Sequence, residues 1–294
     1  MQLPYFGRAA GSGGRLLGSV LTDSDAALGL NFTSRAAHDL YLRRRKVGWG
    51  VDPVRCTKYM TSSQALTLNL FGPLADSPAW CRNLLNKLLG RDDLRRVLAT
   101  DIEFAPRRRS EYLGDMTRVD VLMHIETDRG TEAIVVEVKY ADRFNSRFVD
   151  LRRNSSYRNL ADTTQLWAKP DVILASRQVN QLARVHALAA SILGPTHSRT
   201  LPPTLIVIHH PDDARAHHYV DAYRGLVTSP DTVASVDMRA LFDAMQGTAI
   251  ASPDQSIVEE MATRYIGHAY SDAAWNAYRS RPCDAQLQSH EPAH

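Results

Sequence analysis

The segment Thr131–Tyr140, TEAIVVEVKY, constrains this chain more than any other. Ile134, Val135, Val136 and Val138 have the composition of a buried strand. Glu137 and Lys139 stand inside that run. An unpaired charge in such a place costs several kcal/mol. The two residues therefore either pair with each other or serve a metal and a substrate.

The preceding segment, RVDVLMHIE over 118–126, reads as a second strand joined to the first by TDRG. In a hairpin with an even loop Thr127 faces Gly130. Counting back, Asp120 then faces Glu137, with Cβ atoms about 4.5–5.5 Å apart. Lys139, two residues on, shares their side of the sheet, while Val119, Val121, Val136 and Val138 point to the other. A bulge at Gly130 would instead shift the register by one residue. Two facing carboxylates cannot both ionise cheaply. A hard cation such as Mg²⁺, with Mn²⁺ as a substitute, resolves the conflict, because it prefers carboxylate and carbonyl oxygens. Asp120, Glu137 and the Val138 carbonyl would supply the ligands, and Lys139 would hold the attacking water or a phosphate oxygen. The plainer alternative is a structural ion-pair cluster at a strand end.

The rest of the sequence sets the frame. At 294 residues and 44% hydrophobic content the chain can bury one large core, with room for a small appendage. A net charge of +3 permits a nucleic-acid partner without arguing for one. Only five of the 35 basic residues are lysines, yet one adjoins the strand glutamate. Cys56, Cys81 and Cys283 show neither a disulfide framework nor zinc spacing. No apolar run is long enough to span a membrane, and the glycine-rich start lacks the core of a signal peptide. A cytoplasmic protein is expected.

Along the chain, Thr33-Ser34 caps a helix through RAAHDLYLRRRKV, whose basic end reads as a solvated face. A helix from Thr61 or Ser62 is expected to stop at Gly72-Pro73. Helices follow in AWCRNLLNKLL and DLRRVLA, then strands at 101–106, 118–126 and 132–140. Residues 143–170 read as a loop or lid with short helical pieces. A helix over 178–193, a strand over 204–210, and helices flanking a short strand near TVASVD complete an α/β sandwich around one central mixed sheet. The expected divisions are an N-terminal arm over 1–32, a core domain over 33–250, C-terminal helices over 251–284 and a disordered tail over 285–294.

Asp120, sixteen intervening residues and Glu137-Val138-Lys139 resemble the active-site signature of the PD-(D/E)XK nuclease superfamily, with Val119 in place of the usual proline. SSQALTLNLFGPL and NQLARVHALA resemble a bacterial restriction-endonuclease-like subset of it. The likeness spans roughly Thr57 to Val227. It implies a restriction-endonuclease-like αβββαβ core, with Asp120 and Glu137 as metal ligands and Lys139 as the catalytic lysine. It further implies that Glu103 could widen the site to a second metal, and that Gln64 bonds a water or DNA there. Gln181 and Arg184, one turn apart on one helix face, would assist the lysine or the phosphate. Arg107, Arg108 and Arg109 follow the Glu103 strand and could touch backbone phosphates. Arg143 and Arg147, interleaved with Phe144, Phe148 and Tyr157, suggest a DNA-clamping loop. The expected activity is Mg²⁺-dependent hydrolysis of DNA by an endonuclease with no membrane partner. The resemblance also admits a homodimer. The alternatives are a non-catalytic nucleic-acid-binding protein on the same fold, or a repair or RNA nuclease.

Overall fold

The computed structural model describes residues 19–48, 50–141, 144, 148–193 and 201–267. One sheet of five strands, β1 (Leu94–Phe104), β2 (Val119–Thr127), β3 (Gly130–Lys139), β4 (Thr204–His209) and β5 (Val233–Asp237), runs in that spatial order. β1, β2 and β3 form an antiparallel meander; β4 and β5 add in parallel. The β2–β3 hairpin turns on two residues, with Thr127 facing Gly130 and Val121 facing Val136. Thr127 Oγ1 fixes the turn by accepting from the N–H groups of Arg129 (3.1 Å) and Gly130 (3.2 Å). The register is therefore the one the even loop predicts, without a bulge.

Side-chain alternation divides the core into two layers. Met123 and Ile125 of β2, Val136 and Val138 of β3 and Ile208 of β4 pack with helices α2 (Arg35–Lys46), α4 (Ser63–Asp76), α5 (Pro78–Leu89), α10 (Met238–Thr248) and α11 (Ser252–Tyr265). Leu122, Val135 and Val207 pack on the opposite face with α6 (Ser155–Thr164), α7 (Pro170–Ala175), α8 (Asn180–Leu193) and α9 (Ala214–Arg224). Val119 departs from the expected alternation and joins this second layer. It pairs with Phe104, next to the left-handed Glu103 (φ 51°), where the pleat of β1 is interrupted.

Three sequence expectations are corrected, on α4, DLRRVLA and residues 148–170. Gly72-Pro73 does not end α4, which runs to Asp76. A Cβ on Gly72 would stand 2.5 Å from Ala37 Cα, so the glycine serves the close crossing of α2. DLRRVLA is not a helix but most of the first half of β1; Leu94, Val97 and Leu98 imitate a helical stripe, and two register shifts against β2 spoil the strand alternation. Residues 148–170 are largely packed, with Leu151, Tyr157, Leu160 and Trp167 buried. The described part of the arm is folded from Val20, which bridges to Tyr59, through α1 (Asp23–Ala27) to the buried Phe32. Residues 1–18, the part of the expected C-terminal helices beyond residue 267 and the tail lie outside the described residues.

A buried polar chain ties the second layer together. Trp167 Nε1–H donates to Tyr223 Oη (3.1 Å). His186 Nε2 lies 2.8 Å from the Pro203 carbonyl, which can only accept, so Nε2 carries the proton and Nδ1 accepts from Tyr223 Oη–H (3.0 Å). Burial pushes the His186 pKa down to about 4. The folded protein keeps this imidazole neutral, whereas the unfolded chain protonates it below about pH 6.5. The stability it contributes is thus present above that pH and is lost as pH falls toward 4. We expect His186→Leu to cost about 1–3 kcal/mol at neutral pH by leaving two buried groups unpaired. In urea titrations across pH, that gap should narrow on acidification; parallel profiles would show that His186 is not held neutral.

Candidate active site

β1, β2 and β3 carry one carboxylate each at the same level of the sheet. Ile102 faces Val121 and Phe104 faces Val119, which puts Glu103 level with Asp120. The Val121–Val136 pair puts Asp120 level with Glu137. Glu103 and Glu137 are buried and Asp120 is half-buried. Burial first, and then the charges of Glu137 and Glu103, hold the Asp120 carboxyl well above the usual carboxylate range. Burial, reinforced by Glu137 and opposed by the Gln64 hydrogen bond, pushes Glu103 up to about 7.

Each carboxylate has its own donor. The Val138 N–H donates to Asp120 Oδ2 (2.7 Å) just beyond the last backbone pair of the hairpin. In extended backbone a residue's carbonyl points to the same flank as its N–H, so the Val138 carbonyl is directed to the β2 side of the strand. Glu137 Oε1 accepts from Lys139 Nζ (2.8 Å) and from Gln181 Nε2 of α8 (2.5 Å). Both partners of the Glu137–Lys139 pair are buried, a placement that costs desolvation and is repaid only by close geometry and further hydrogen bonds. Lys139 Nζ also stands 5.5 Å from the Phe144 ring centre. Glu103 Oε2 accepts from Gln64 Nε2 (2.9 Å), but Glu103 Oε1 is buried with no hydrogen-bond partner among the described residues.

Gln64 is held as firmly as it holds. Its Oε1 accepts from the Asp52 N–H (3.1 Å), and its Nε2 also donates to the Gly50 carbonyl (3.0 Å). It thus binds Glu103 itself rather than only a water. Two residues that sequence reasoning did not single out set the Glu103 backbone. Arg44 donates through Nε to the Ile102 carbonyl and through a terminal nitrogen to the Glu103 carbonyl, both at 2.6 Å. Successive strand carbonyls normally point to opposite sides; the left-handed Glu103 turns its own to the side of Ile102, where one guanidinium fork serves both. Gly50, at φ 100°, makes room, since a Cβ there would lie 2.8 Å from the Arg44 guanidinium. Arg44 was visible only as one member of the basic run Arg43–Lys46, and nothing in a run of four cations marks the one that turns inward.

The expected nucleic-acid contacts separate. Gln181 is drawn to Glu137. Arg184 is only 8% exposed, and its Nε donates to Asp115 Oδ2 (3.2 Å) and Thr117 Oγ1 (3.0 Å). It is an internal clamp between α8 and the approach to β2, not a surface for phosphate. Tyr157 is likewise withdrawn from the expected clamp, because it is buried and its hydroxyl donates to Asp115 Oδ2 (2.7 Å). Phe144 is buried and stacks on Tyr219, and Phe148 lies under Arg177. Arg107, Arg108 and Arg109 are exposed, as a phosphate contact requires. Arg143 and Arg147 lie outside the described residues.

Among the described residues no three His, Cys, Asp or Glu side chains form a closed metal cage. The donor chemistry nonetheless fits a hard divalent cation. The set is all oxygen, Glu103 Oε1 lacks any donor among the described residues, and the crowding that raises Glu103 and Asp120 is what a cation would relieve. We expect Arg44→Lys to cost about 1.5–3 kcal/mol in urea unfolding, because lysine keeps the charge but cannot bridge two carbonyls. Arg45→Lys on the exposed side of α2 should change little; equal losses would show that the fork is not what holds Glu103.

A family model described as the PD-(D/E)XK nuclease superfamily matches residues 2–267. This is wider than the stretch from Thr57 to Val227 that the motifs alone mark out, and it takes in the N-terminal segment and α11. No curated protein and no solved structure gives a significant match. The match covers most of the 294 residues, and it agrees with the mixed five-stranded sheet and the level carboxylates; the chain belongs to the PD-(D/E)XK nuclease superfamily.

Proposed function

We propose that the chain is a Mg²⁺-dependent endonuclease that hydrolyses phosphodiester bonds of DNA. The observation that carries this reading is the level row of Glu103, Asp120 and Glu137 with Lys139 beside it, in which one buried carboxylate oxygen has no donor among the described residues. Asp120, Glu137 and the Val138 carbonyl would hold the ion, with Glu103 available to extend the site. When bound, such an ion offsets the carboxylate charge and stabilises the negative charge that develops on the phosphodiester. Lys139 orients the attacking water and a non-bridging phosphate oxygen through its ammonium group. Gln181 and Lys139 together fix the rotamer of Glu137, and Gln64 fixes that of Glu103. Water adds to phosphorus, the bond to the 3′ oxygen breaks, and the products are a 5′-phosphate and a 3′-hydroxyl. The choice of DNA over RNA rests on the restriction-like character of the SSQAL and NLFGPL segments.

Supercoiled plasmid should be nicked with Mg²⁺ or Mn²⁺ and not with EDTA. Glu137→Ala and Lys139→Ala should each lower the rate by about 10²-fold or more, with circular dichroism showing that the variants remain folded. If the native chain cuts neither plasmid, single-stranded DNA nor RNA, and Mn²⁺ titration shows no binding, the reading fails and a non-catalytic binding protein takes its place.

Cation affinity should also depend on pH. Glu103 holds its proton below about pH 7 and must release it to bind a metal. Mn²⁺ affinity measured by calorimetry should therefore rise between pH 6 and 8, by up to about tenfold per pH unit for one proton released. Glu103→Gln should make that rise shallower and leave the part due to Asp120, whose carboxyl is also held high; an unchanged slope would remove Glu103 from the site.

A further inference from the structure

A groove of about 570 Å³ lies between the C-terminal end of α2 and the segment from β1 to Tyr112. Its lining draws on both layers, with Leu40 and Ile102 from the first and Phe104 and Tyr112 from the edge of the second. Its apolar lining includes Val47, Phe104, Pro106 and Tyr112, and four arginines, Arg43, Arg44, Arg107 and Arg108, border it. Ile102 and Phe104, the chain neighbours of Glu103, line it too, so the groove lies along the stretch of β1 whose backbone carries Glu103. Its size is within the range of about 300–1,000 Å³ typical of ligand pockets.

The chemistry of the lining narrows the occupant. β1 is the edge strand of the sheet, and an exposed edge invites pairing by an extended peptide. Here Arg44 occupies the Ile102 and Glu103 carbonyls, which blocks that edge at the groove. The acidic groups of the lining are Asp101, which is exposed, and Glu111, which is paired with Arg108 (3.0 Å), while Arg43 is paired with Asp76 (3.4 Å). Arg107 is exposed and has no hydrogen bond or ion pair among the described residues. Cations at the rim suit phosphates. The half-buried rings of Phe104 and Tyr112 suit the faces of bases. An intact duplex hides those faces within its stack; a single strand presents them.

We propose that this groove binds a single-stranded segment of the nucleic-acid substrate, with phosphates on Arg107 and, in exchange for the exposed surface pairs with Asp76 and Glu111, on Arg43 and Arg108, and with an unstacked base against Phe104 and Tyr112. The proposal rests on the nuclease reading and adds a substrate class to it: DNA with a single-stranded portion next to the cleaved bond, such as a flap, a gap or an unpaired end.

The test is fluorescence anisotropy of a labelled mixed-sequence oligonucleotide, single-stranded and annealed, with the full-length chain in EDTA so that nothing is cut. The native chain should bind the single strand about tenfold more tightly than the duplex. Tyr112→Leu and Phe104→Leu keep apolar bulk but remove the aromatic face; they should weaken single-strand binding about tenfold and duplex binding less than about twofold. Arg107→Gln with Arg108→Gln should weaken both forms and flatten the salt dependence. Tighter duplex binding, or leucine variants that leave single-strand binding within about twofold of native, would overturn the groove assignment. If such a chain still nicks plasmid, the nuclease reading stands without the groove; if it neither binds nor cuts any nucleic acid, both fall.

Discussion

Crowding three carboxylates, two buried and one half-buried, onto adjacent strands is costly, and much of the structure near the sheet end is arranged to meet that cost. Desolvation and mutual repulsion favour protonation, which is why Glu103 and Asp120 both shift upward. The compensation comes from four directions: Gln64 from α4, the Val138 N–H from β3, Lys139 from the same strand as Glu137, and Gln181 from α8. None of these removes the repulsion, and one oxygen of Glu103 is left over among the described residues. A fold optimised for stability alone would place apolar side chains on this row, since a buried ion pair is often no better than its hydrophobic replacement. This row of crowded carboxylates is the charge that the proposed cation would offset.

α8 is the element that makes the arrangement rigid. Gln181 reaches Glu137, Arg184 one turn later reaches Asp115 and Thr117, and His186 is bonded to Tyr223 and to the carbonyl that precedes β4. One helix thus fixes the carboxylate on β3, the approach to β2 and the start of β4. Arg184 is buried for the same reason. A guanidinium that clamps Asp115, five residues before Asp120, acts on the site by position and does not need to meet the substrate.

The hairpin was legible in the sequence because its rules are local. A period of two, a two-residue turn and a valine run leave one register in which Asp120 meets Glu137, and that register is observed. Glu103 was within reach of the same reasoning, since a third strand in sequence order tends to pair next to the second. What could not be read were decisions made by tertiary contacts. Leu94, Val97 and Leu98 satisfy a helical stripe, and only pairing with β2 decides for a strand. Gly72-Pro73 has the form of a helix stop, and only the approach of Ala37 shows why the glycine is there. Arg184 and Tyr157 carry polar groups that sequence alone assigns to the surface, because Asp115, the partner that lets them be buried, lies 69 and 42 residues away.

Glu103 joins the buried row to the open groove. Its left-handed conformation is costly for a residue with a side chain, and Arg44 and Gly50 sustain it from outside the sheet. The same guanidinium lines the groove and covers the free edge of β1. A strand of nucleic acid lying there would meet Arg44 on the far side of the backbone that presents Glu103 to Asp120. Any shift of α2 against β1 would reach the carboxylate row through two hydrogen bonds. The β1 edge, a liability in most sheets, is here closed by a side chain that also sets the geometry of the site.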